Sequence, residues 1–306
     1  MAPQKIKLIY NHTAGNQQQS PQQLVDILLA MQAHDLAPEV FVVQPGADVR
    51  AVVRRARRDG TRLIAVAGGD GTVDSVAHHL VGTPLRLGVI PIGTRNNLAL
   101  NLNIPADIPG AVALLRNGTP TRIDVGKARS GGNTRYFLEL VTIGLLSDMY
   151  ELTDELQHGD VTRIGEWLST FMAAEPSEAR LSLDAAGRGP GRTLAAHGHM
   201  VLVANMRYIG PNLQIDPHVS FRDGKLDVFV FSDMTKFHLI SFAMRSLAGN
   251  IDQQSIQHVQ VRQLKLHSRP AMNIMADGLE LGRGAATIEV LPKALTVMAG
   301  RKARKK

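Results

Sequence analysis

The sequence predicts two successive domains, an amino-terminal αβ domain built on a parallel sheet and a carboxyl-terminal β-rich domain. Three observations carry this. Apolar strand-like runs alternate with helical patterns up to Asp124, short alternating runs broken by Gly, Pro, Asn and Asp follow it, and two of the early strands end in glycine-built turns. At 306 residues and 44% apolar content the chain is long enough to bury a sizeable core in each domain.

In chain order, the first strand is Lys5 to Tyr10, followed by a helix from Pro21 to His34, a strand Val40 to Val43 and a helix Asp48 to Arg58. Strand Leu63 to Ala67 leads into a helical run Val73 to Leu80; strand Leu87 to Ile90 leads through a short helix to another at Ile108 to Asn117. Such alternation implies parallel strands with helices on both faces. Beyond Asp124, strands are expected at Arg135 to Val141, Arg180 to Leu183, His199 to Asn205, Leu226 to Phe231, Gln263 to His267, Ala271 to Met275, Thr287 to Leu291 and Leu295 to Met298. Helical inserts at Arg163 to Ala174 and Thr235 to Ala248 interrupt them, and the glycine-rich Ala185 to Arg192 reads as an exposed hairpin loop. The expected domains are 1–124 and 125–300, with a basic tail at 301–306. A last strand that returns toward the first domain would make that boundary soft.

The chemistry-bearing signals lie at strand ends. Gly68-Gly69-Asp70-Gly71-Thr72 follows an apolar strand and opens a helix; glycines let backbone approach an anion, and a helix N-terminus favours negative charge. Asp70 is an oxygen donor suited to Mg2+, directly or through water. A second turn, Pro91-Ile92-Gly93-Thr94-Arg95-Asn96-Asn97, follows the next strand. In an open parallel sheet both turns would gather at the carboxyl edge, where ligands bind. Considered alone, each is also compatible with an ordinary structural turn.

Composition limits the alternatives. The absence of cysteine excludes disulfides, thiolate ligands and a catalytic thiol. The first apolar strand begins at Lys5, leaving no room for a signal peptide, and no apolar run approaches the roughly 18 residues of a membrane span, so a soluble cytoplasmic protein is expected. The tail Arg301 to Lys306 carries five of the seven excess positive charges. Such a cluster suits an anionic membrane surface or a solubilising end. Arg54, Arg55, Arg57 and Arg58 read as a solvated helix face. With four Tyr and one Trp there is little material for base stacking, and no nucleic-acid partner is expected. P-loop, dinucleotide, hydrolase-elbow and zincin signatures are missing, and the His78-His79 and His197/His199 pairs lack companions at metal spacing.

The pair GGDGT and PIGTRNNLA, in this order and spacing, resembles the catalytic domain of bacterial diacylglycerol kinases and related lipid kinases, a superfamily that includes sphingosine and NAD kinases. Further likenesses span nearly the whole chain: Asn11-His12-Thr13-Ala14-Gly15, Ile123-Asp124-Val125-Gly126, Phe221 to Asp227, Asp277-Gly278 and Leu291 to Leu295. The resemblance implies an amino-terminal αβ domain, a carboxyl-terminal β-sandwich, and an active cleft between them. It implies ATP contacts from Asn11, Thr13, Gly15, Gly68, Gly69, Asp70, Gly71, Thr72, Gly93, Thr94 and Asn96, and a general base in Asp277. It also implies Mg2+ held by Asp223 with the backbone carbonyls of Ser220 and Lys225, with Asp124 connecting through water toward Thr94.

The implied activity is ATP- and Mg2+-dependent phosphorylation of a lipid hydroxyl such as that of diacylglycerol, at a membrane surface facing the cytoplasm; a homodimer is compatible with it. Departures from the family pattern leave two alternatives open, a kinase for a non-lipid alcohol such as NAD and a catalytically silent nucleotide- or lipid-binding regulator. Ser75 stands where many members carry Glu, Asn97 where Asp is frequent, His12 where Pro is common, and Leu279 where a second carboxylate follows Asp-Gly. Glu280 is adjacent, but neighbours in an extended segment point to opposite faces.

Overall fold

The computed structural model describes residues 4–15, 20–148, 164–184, 191–210, 213–239, 241 and 256–300. Residues 185–190 of the expected hairpin loop, 240 and 242–248 of the second helical insert, and the basic tail 301–306 lie outside the described residues. The chain forms two compact units, one of Met1–Ile123 with Lys293–Lys306 and one of Asp124–Pro292.

The first unit runs β1 (Gln4–Tyr10), α1 (Ser20–Ala33), β2 (Leu36–Val42), α2 (Val49–Arg58), β3 (Leu63–Gly68), α3 (Asp70–Ala77), β4 (Arg86–Pro91), α4 (Asn97–Asn101) and α5 (Ile108–Asn117). All ladders among β1 to β4 are parallel, with β1 between β2 and β3 and β4 beyond β3. Every residue of β3 is buried, as expected for a parallel strand covered on both faces. Asp48 and Asp107 cap α2 and α5 by accepting hydrogen bonds from the amides of Ala51 and Gly110. Helix α5 then packs so closely on β4 that a Cβ at Gly88 would meet Leu115 at 2.2 Å.

Because β2 and β3 lie on opposite sides of β1, the strand order reverses between β1 and β3. In open α/β sheets that reversal opens a crevice at the carboxyl ends. The segments leaving β1, β3 and β4 are Asn11 to Gly15, Gly69 and the Gly93 turn, so the three glycine-containing loops share that edge.

Helix α3 begins at Asp70, not at Val73 as the apolar run suggested. Gly69 is its N-cap, and the amides of Thr72 and Val73 both donate to the Gly69 carbonyl. The five-residue turn read from the sequence is therefore a single-residue step from strand to helix.

The second unit is an antiparallel β-sandwich. It contains β5 (Thr119–Ser130), β6 (Asn133–Phe137), β7 (Leu140–Gly144), α6 (Leu145–Asp148), α7 (Ile164–Ala173), β8 (Ser177–Leu183) and β9 (Arg192–Ala204). After the short β10 (Tyr208–Gly210) and β11 (Leu213–Gln214) come β12 (Leu226–Ser232), β13 (Gln257–Val261), β14 (Gln263–Arg269), β15 (Asn273–Ala276), β16 (Leu279–Arg283) and β17 (Ala285–Ala299). Residues 236–239 are helical. Strands β5 and β17 begin in one unit and end in the other.

One core gathers the inward residues of the sandwich, among them Val141, Leu181, Val203, Val228, Leu264 and Ile288. Strand β12 serves two cores: Val228 and Val230 enter this one, while Phe229 and Phe231 join a second with Phe171 of α7, Ile215 and Val219. That is why Val228–Phe231 reads as an unbroken apolar run rather than an alternating one.

Three expectations change in the second unit. The run Arg135 to Val141 is split into β6 and β7, because the amides of Leu138, Glu139 and Leu140 donate to the Asp277 carboxylate. The runs Thr287 to Leu291 and Leu295 to Met298 are one strand, β17, which passes through Pro292 and the positive-φ Lys293. Strands β5 and β13, rich in charged and polar residues, carried too little apolar periodicity to be anticipated.

A buried polar contact ties β13 to β12. His258 stacks on Phe229 with ring centroids 4.5 Å apart and hydrogen-bonds the buried Asp227 at 2.7 Å, with Asp216 4.0 Å from its other ring nitrogen. The hydrogen bond to Asp227, opposed by burial and aided by the charges of Asp227 and Asp216, raises the His258 pKa. A raised folded-state value stabilises fully below the unfolded value of about 6.5, and that stabilisation is lost as pH rises through the folded value. Urea midpoints read by the tryptophan are therefore expected to fall on alkalinisation through this range, and His258→Gln, which keeps a donor without a titration, flattens that component. An equal slope in both proteins would remove His258 as its source.

Candidate active site

The first unit's loops are held by contacts of their own. The Asn11 amide hydrogen donates to the Ala67 carbonyl at 2.9 Å, extending the β1 ladder with β3 by one step. Its side chain then bridges two loops: Nδ2 donates to Thr72 Oγ1 at 2.7 Å, while Oδ1 accepts from the Thr13 amide at 3.1 Å and the Thr13 hydroxyl at 2.8 Å. Gly15 has φ +67°, and a Cβ there would lie 2.2 Å from the Ile92 carbonyl oxygen. The first loop is thus tied to the segment after β3 through Asn11 and lies against the segment after β4 at Gly15.

Those two segments touch backbone to backbone. A Cβ on Gly93 would lie 2.4 Å from the Gly69 Cα, and one on Gly69 would lie 3.3 Å from the Gly93 Cα. Asn96, itself left-handed at φ 52°, closes the second turn by accepting from the Gly93 amide at 3.1 Å and donating to the Gly93 carbonyl at 2.7 Å. Gly71 differs from its neighbours, since a Cβ there would meet nothing within 4 Å. Thr94 and Thr13 are exposed at the same edge.

Asp70 occupies the first turn of α3. Burial raises its carboxyl pKa, opposed by hydrogen bonds from the backbone of Asn97 and Leu98, by the charge of Arg95 and by the backbone of Asn96. Its carboxylate therefore supports the opening of α4, which lacks a side-chain cap at Asn96. That is a structural task beside the metal-binding one read from the sequence. Ser75 is exposed on α3, whereas Asn97 is buried at the start of α4.

In the second unit, the fully buried Asp124 is gripped along its length. Its amide donates to the Phe221 carbonyl at 2.8 Å, its Oδ2 accepts from the Gly224 amide at 2.7 Å, and its carbonyl accepts from Asn205 Nδ2 at 3.1 Å. Asp124 thereby fixes the turn that presents Asp223, whose Oδ1 accepts from the Lys225 amide at 3.1 Å. Partial desolvation raises the Asp223 pKa, with Asp227 and Asp124 adding to it, against the Lys225 amide and the Lys225 charge. A carboxylate crowded by like charge on a glycine turn is a suitable partner for a cation. Among the described residues no group of three or more His, Cys, Asp or Glu side chains is placed to hold a metal, so a site here would combine Asp223 with backbone oxygens and water.

Asp277 and Gly278 form the two-residue turn between β15 and β16, both at positive φ, the Asp-Gly signature of a tight hairpin. The Asp277 carboxylate accepts from the amides of Leu138 at 2.5 Å, Leu140 at 2.9 Å and Glu139 at 3.1 Å. Asn205, which the sequence reading missed, joins the two carboxylate sites: its Nδ2 donates to the carbonyls of both Asp124 and Leu138. A lone Asn closing a strand carries no local signal of such a role. Leu279 and Glu280 are both exposed in β16, and the bulge of that strand falls after Glu280, so the step between them stays regular.

The Gly69–Gly93 approach has a direct test. Gly93→Ala forces backbone apart, a strain on the scale of overpacking, and is expected to destabilise the first unit by about 1–3 kcal/mol. Gly71→Ala fills open space in a helix and is expected to stabilise it by about 0.5–1 kcal/mol. Hydrogen exchange of the β3 and β4 amides distinguishes them, and equal exchange in both variants would show that the close approach carries no strain.

Comparison with known proteins supports the fold and the order of its domains. Residues 5–128 match the diacylglycerol kinase catalytic domain, and residues 160–299 match the YegS C-terminal NAD kinase beta sandwich-like domain. An uncharacterized protein of Synechocystis sp. is 27% identical over 277 residues, 85% of this chain and 61% of its own length. A diacylglycerol kinase of Staphylococcus aureus is 33% identical over 156 residues, 50% of this chain and 48% of its own. The chain thus spans about half to three fifths of these relatives. A solved structure of a diacylglycerol kinase from Bacillus anthracis superposes with a TM-score of 0.74 at 22% identity, over 97% of both chains. A second structure from that organism reaches 0.80 at 24% identity, over 98% of this chain and 96% of the other. The fold is theirs, and the chain carries, in this order, a domain of the diacylglycerol kinase catalytic family and one of the YegS C-terminal NAD kinase beta sandwich-like family.

Proposed function

We propose that the protein is an ATP- and Mg2+-dependent lipid kinase that transfers the γ-phosphate to the hydroxyl of a lipid such as diacylglycerol. The observation that carries this is the bare backbone edge where the segments after β1, β3 and β4 meet, held by the Asn11–Thr72 hydrogen bond and the Gly69–Gly93 approach. It fits a polyphosphate because amides and hydroxyls line it while Cβ atoms are missing where the chain crowds most. Family membership supplies the reaction class, and the S. aureus relative's name supplies the acceptor.

In this reading Asn11, Thr13, Gly15, Gly68, Gly69, Asp70, Gly71, Thr72, Gly93, Thr94 and Asn96 position the triphosphate. Bound Mg2+ would neutralise phosphate charge, held by Asp223 with the carbonyls of Ser220 and Lys225 and linked to Asp124 through water. The lipid oxygen attacks the γ-phosphorus as its bond to the β–γ bridging oxygen breaks, ADP leaves, and Asp277 takes the hydroxyl proton. Three backbone amides aim the Asp277 carboxylate and fix its distance from β7. Since alignment and charge neutralisation supply most of the barrier reduction, such fixed geometry suits the task.

The same clasp favours a second reading, a binding regulator without turnover. A carboxylate engaged by three amides already has a structural task, and Leu279 leaves the adjacent exposed position without charge. Transfer of labelled γ-phosphate from Mg-ATP to lipid alcohols in mixed micelles, with NAD as soluble acceptor, separates the readings. A labelled lipid is expected; labelled NAD alone would redirect the acceptor, and ATP binding with no product would favour the regulator.

Two variants sharpen the test. Asp277→Asn places an amide NH2 group among N–H donors, so it is expected to cost about 1–3 kcal/mol of stability and about 10²- to 10⁴-fold in turnover of the folded protein. Near-wild-type turnover would remove Asp277 as the base. Asp223→Ala is expected to abolish an Mg2+-dependent thermal shift, and an unchanged shift would move the metal elsewhere.

A further inference from the structure

The first unit carries a second feature built for negative charge, at the opposite ends of its strands. A cavity of about 440 Å³ is lined by Arg86, Arg122 and Lys293, with Thr83, Thr296 and the Gly82 loop completing it, and no carboxylate is among its lining residues. Arg86 opens β4, whereas the Gly93 turn follows that strand's far end. Six strand residues at about 3.3 Å each separate the two by nearly 20 Å.

The cations are brought together by the sheet rather than by chance neighbours in sequence. Thr296 of β17 is the ladder partner of Arg86, and β5, which carries Arg122, pairs with β17 as well. Arg86 and Arg122 thus rise from strands flanking β17, and Lys293 lies on β17 itself at φ 53°. The Gly82 amide donates to the Ala294 carbonyl at 2.8 Å, pinning the loop before β4 against β17 and closing the cavity on that side.

Among the described residues, neither Arg86 nor Arg122 has an ion pair or hydrogen bond from its side chain. Two guanidiniums lining one concavity repel one another, so the fold gains nothing from their convergence. A guanidinium presents its donors as a planar fork that matches a phosphate's oxygens in pairs, and two such forks suit a group of two or three negative charges.

We propose that this cavity is an anion site, separate from the glycine-loop edge, that takes a terminal phosphate or pyrophosphate group. Two sources offer that chemistry, a free small phosphate compound and the phosphomonoester headgroup of a lipid.

The test is hydrogen–deuterium exchange on the full chain, read locally. Inorganic pyrophosphate is expected to protect Gly82 to Leu85 and Ala294 to Thr296 in the wild-type protein. In the double variant Arg86→Gln, Arg122→Gln, half-protection is expected to need at least about tenfold more ligand, corresponding to about 1.4 kcal/mol, while the response of Gly69 to Thr72 stays as in wild type. Vesicles of phosphatidylcholine with and without phosphatidic acid form the second arm. Protection by pyrophosphate alone assigns a free ligand, and protection by phosphatidic acid vesicles assigns a headgroup. The double variant removes repulsion and is expected to melt no lower than wild type, which controls for folding. No protection of these segments by either probe, or protection unchanged in the variant, would overturn the site.

Discussion

Backbone can lie against backbone only where side chains are missing, and the ligand edge of the first unit depends on one such place. With Gly69 and Gly93 in contact, the step from β3 to α3 and the turn after β4 become a single surface. Everything else along the edge follows from that. Asn11 can reach Thr72, Gly15 can slide beneath Ile92, and the Asp70 carboxylate can support the first amides of α4. A methyl group at Gly93 would separate loops whose amides face one edge. Steric economy here does the work that charged side chains perform in other phosphate sites.

The second unit solves a different problem, that of holding still one carboxylate buried in a β-sandwich and one half-buried at its hairpin turn. Buried acids are costly unless hydrogen bonds compensate them. Here the compensation comes from backbone: Asp124 takes the Gly224 amide, and Asp277 takes those of Leu138, Glu139 and Leu140. Asn205 joins the two by donating to a carbonyl beside each. The interruption between β6 and β7 is the structural cost, because amides that serve a carboxylate cannot also serve a ladder.

Much of this was legible beforehand. The αβ alternation, the glycine turns at strand ends and the change to short strands after Asp124 are local signals, and the fold class followed from them. The Asp277-Gly278 hairpin was equally local. What escaped was tertiary. Nothing near Asp70 reveals that α4 will present its uncapped amides to it, and nothing near Arg135 to Val141 reveals that a residue far along the chain will claim its N–H groups. Strand β5 was hidden because its buried stretch Ile123 to Gly126 contains a carboxylate and a glycine and breaks the alternation, and β17 because Pro292 and Lys293 imitate a turn inside a continuous strand. Asn205 was missed for the same reason: its importance lies in two carbonyls that only the folded chain brings within reach.

Strand β17 also dictates an order of events during synthesis. The first unit is written in two pieces of sequence, and its β4 edge is completed by Thr296 and Val297, which leave the ribosome only after the whole of the second unit. Loop closure across so long a segment is entropically expensive and slow. The nascent first unit therefore waits with an open sheet margin while the sandwich residues emerge, a margin able to pair with other chains. Early termination just before Lys293 would leave that margin permanently bare. Its effect would fall on strands translated well before the break, far from it in the message.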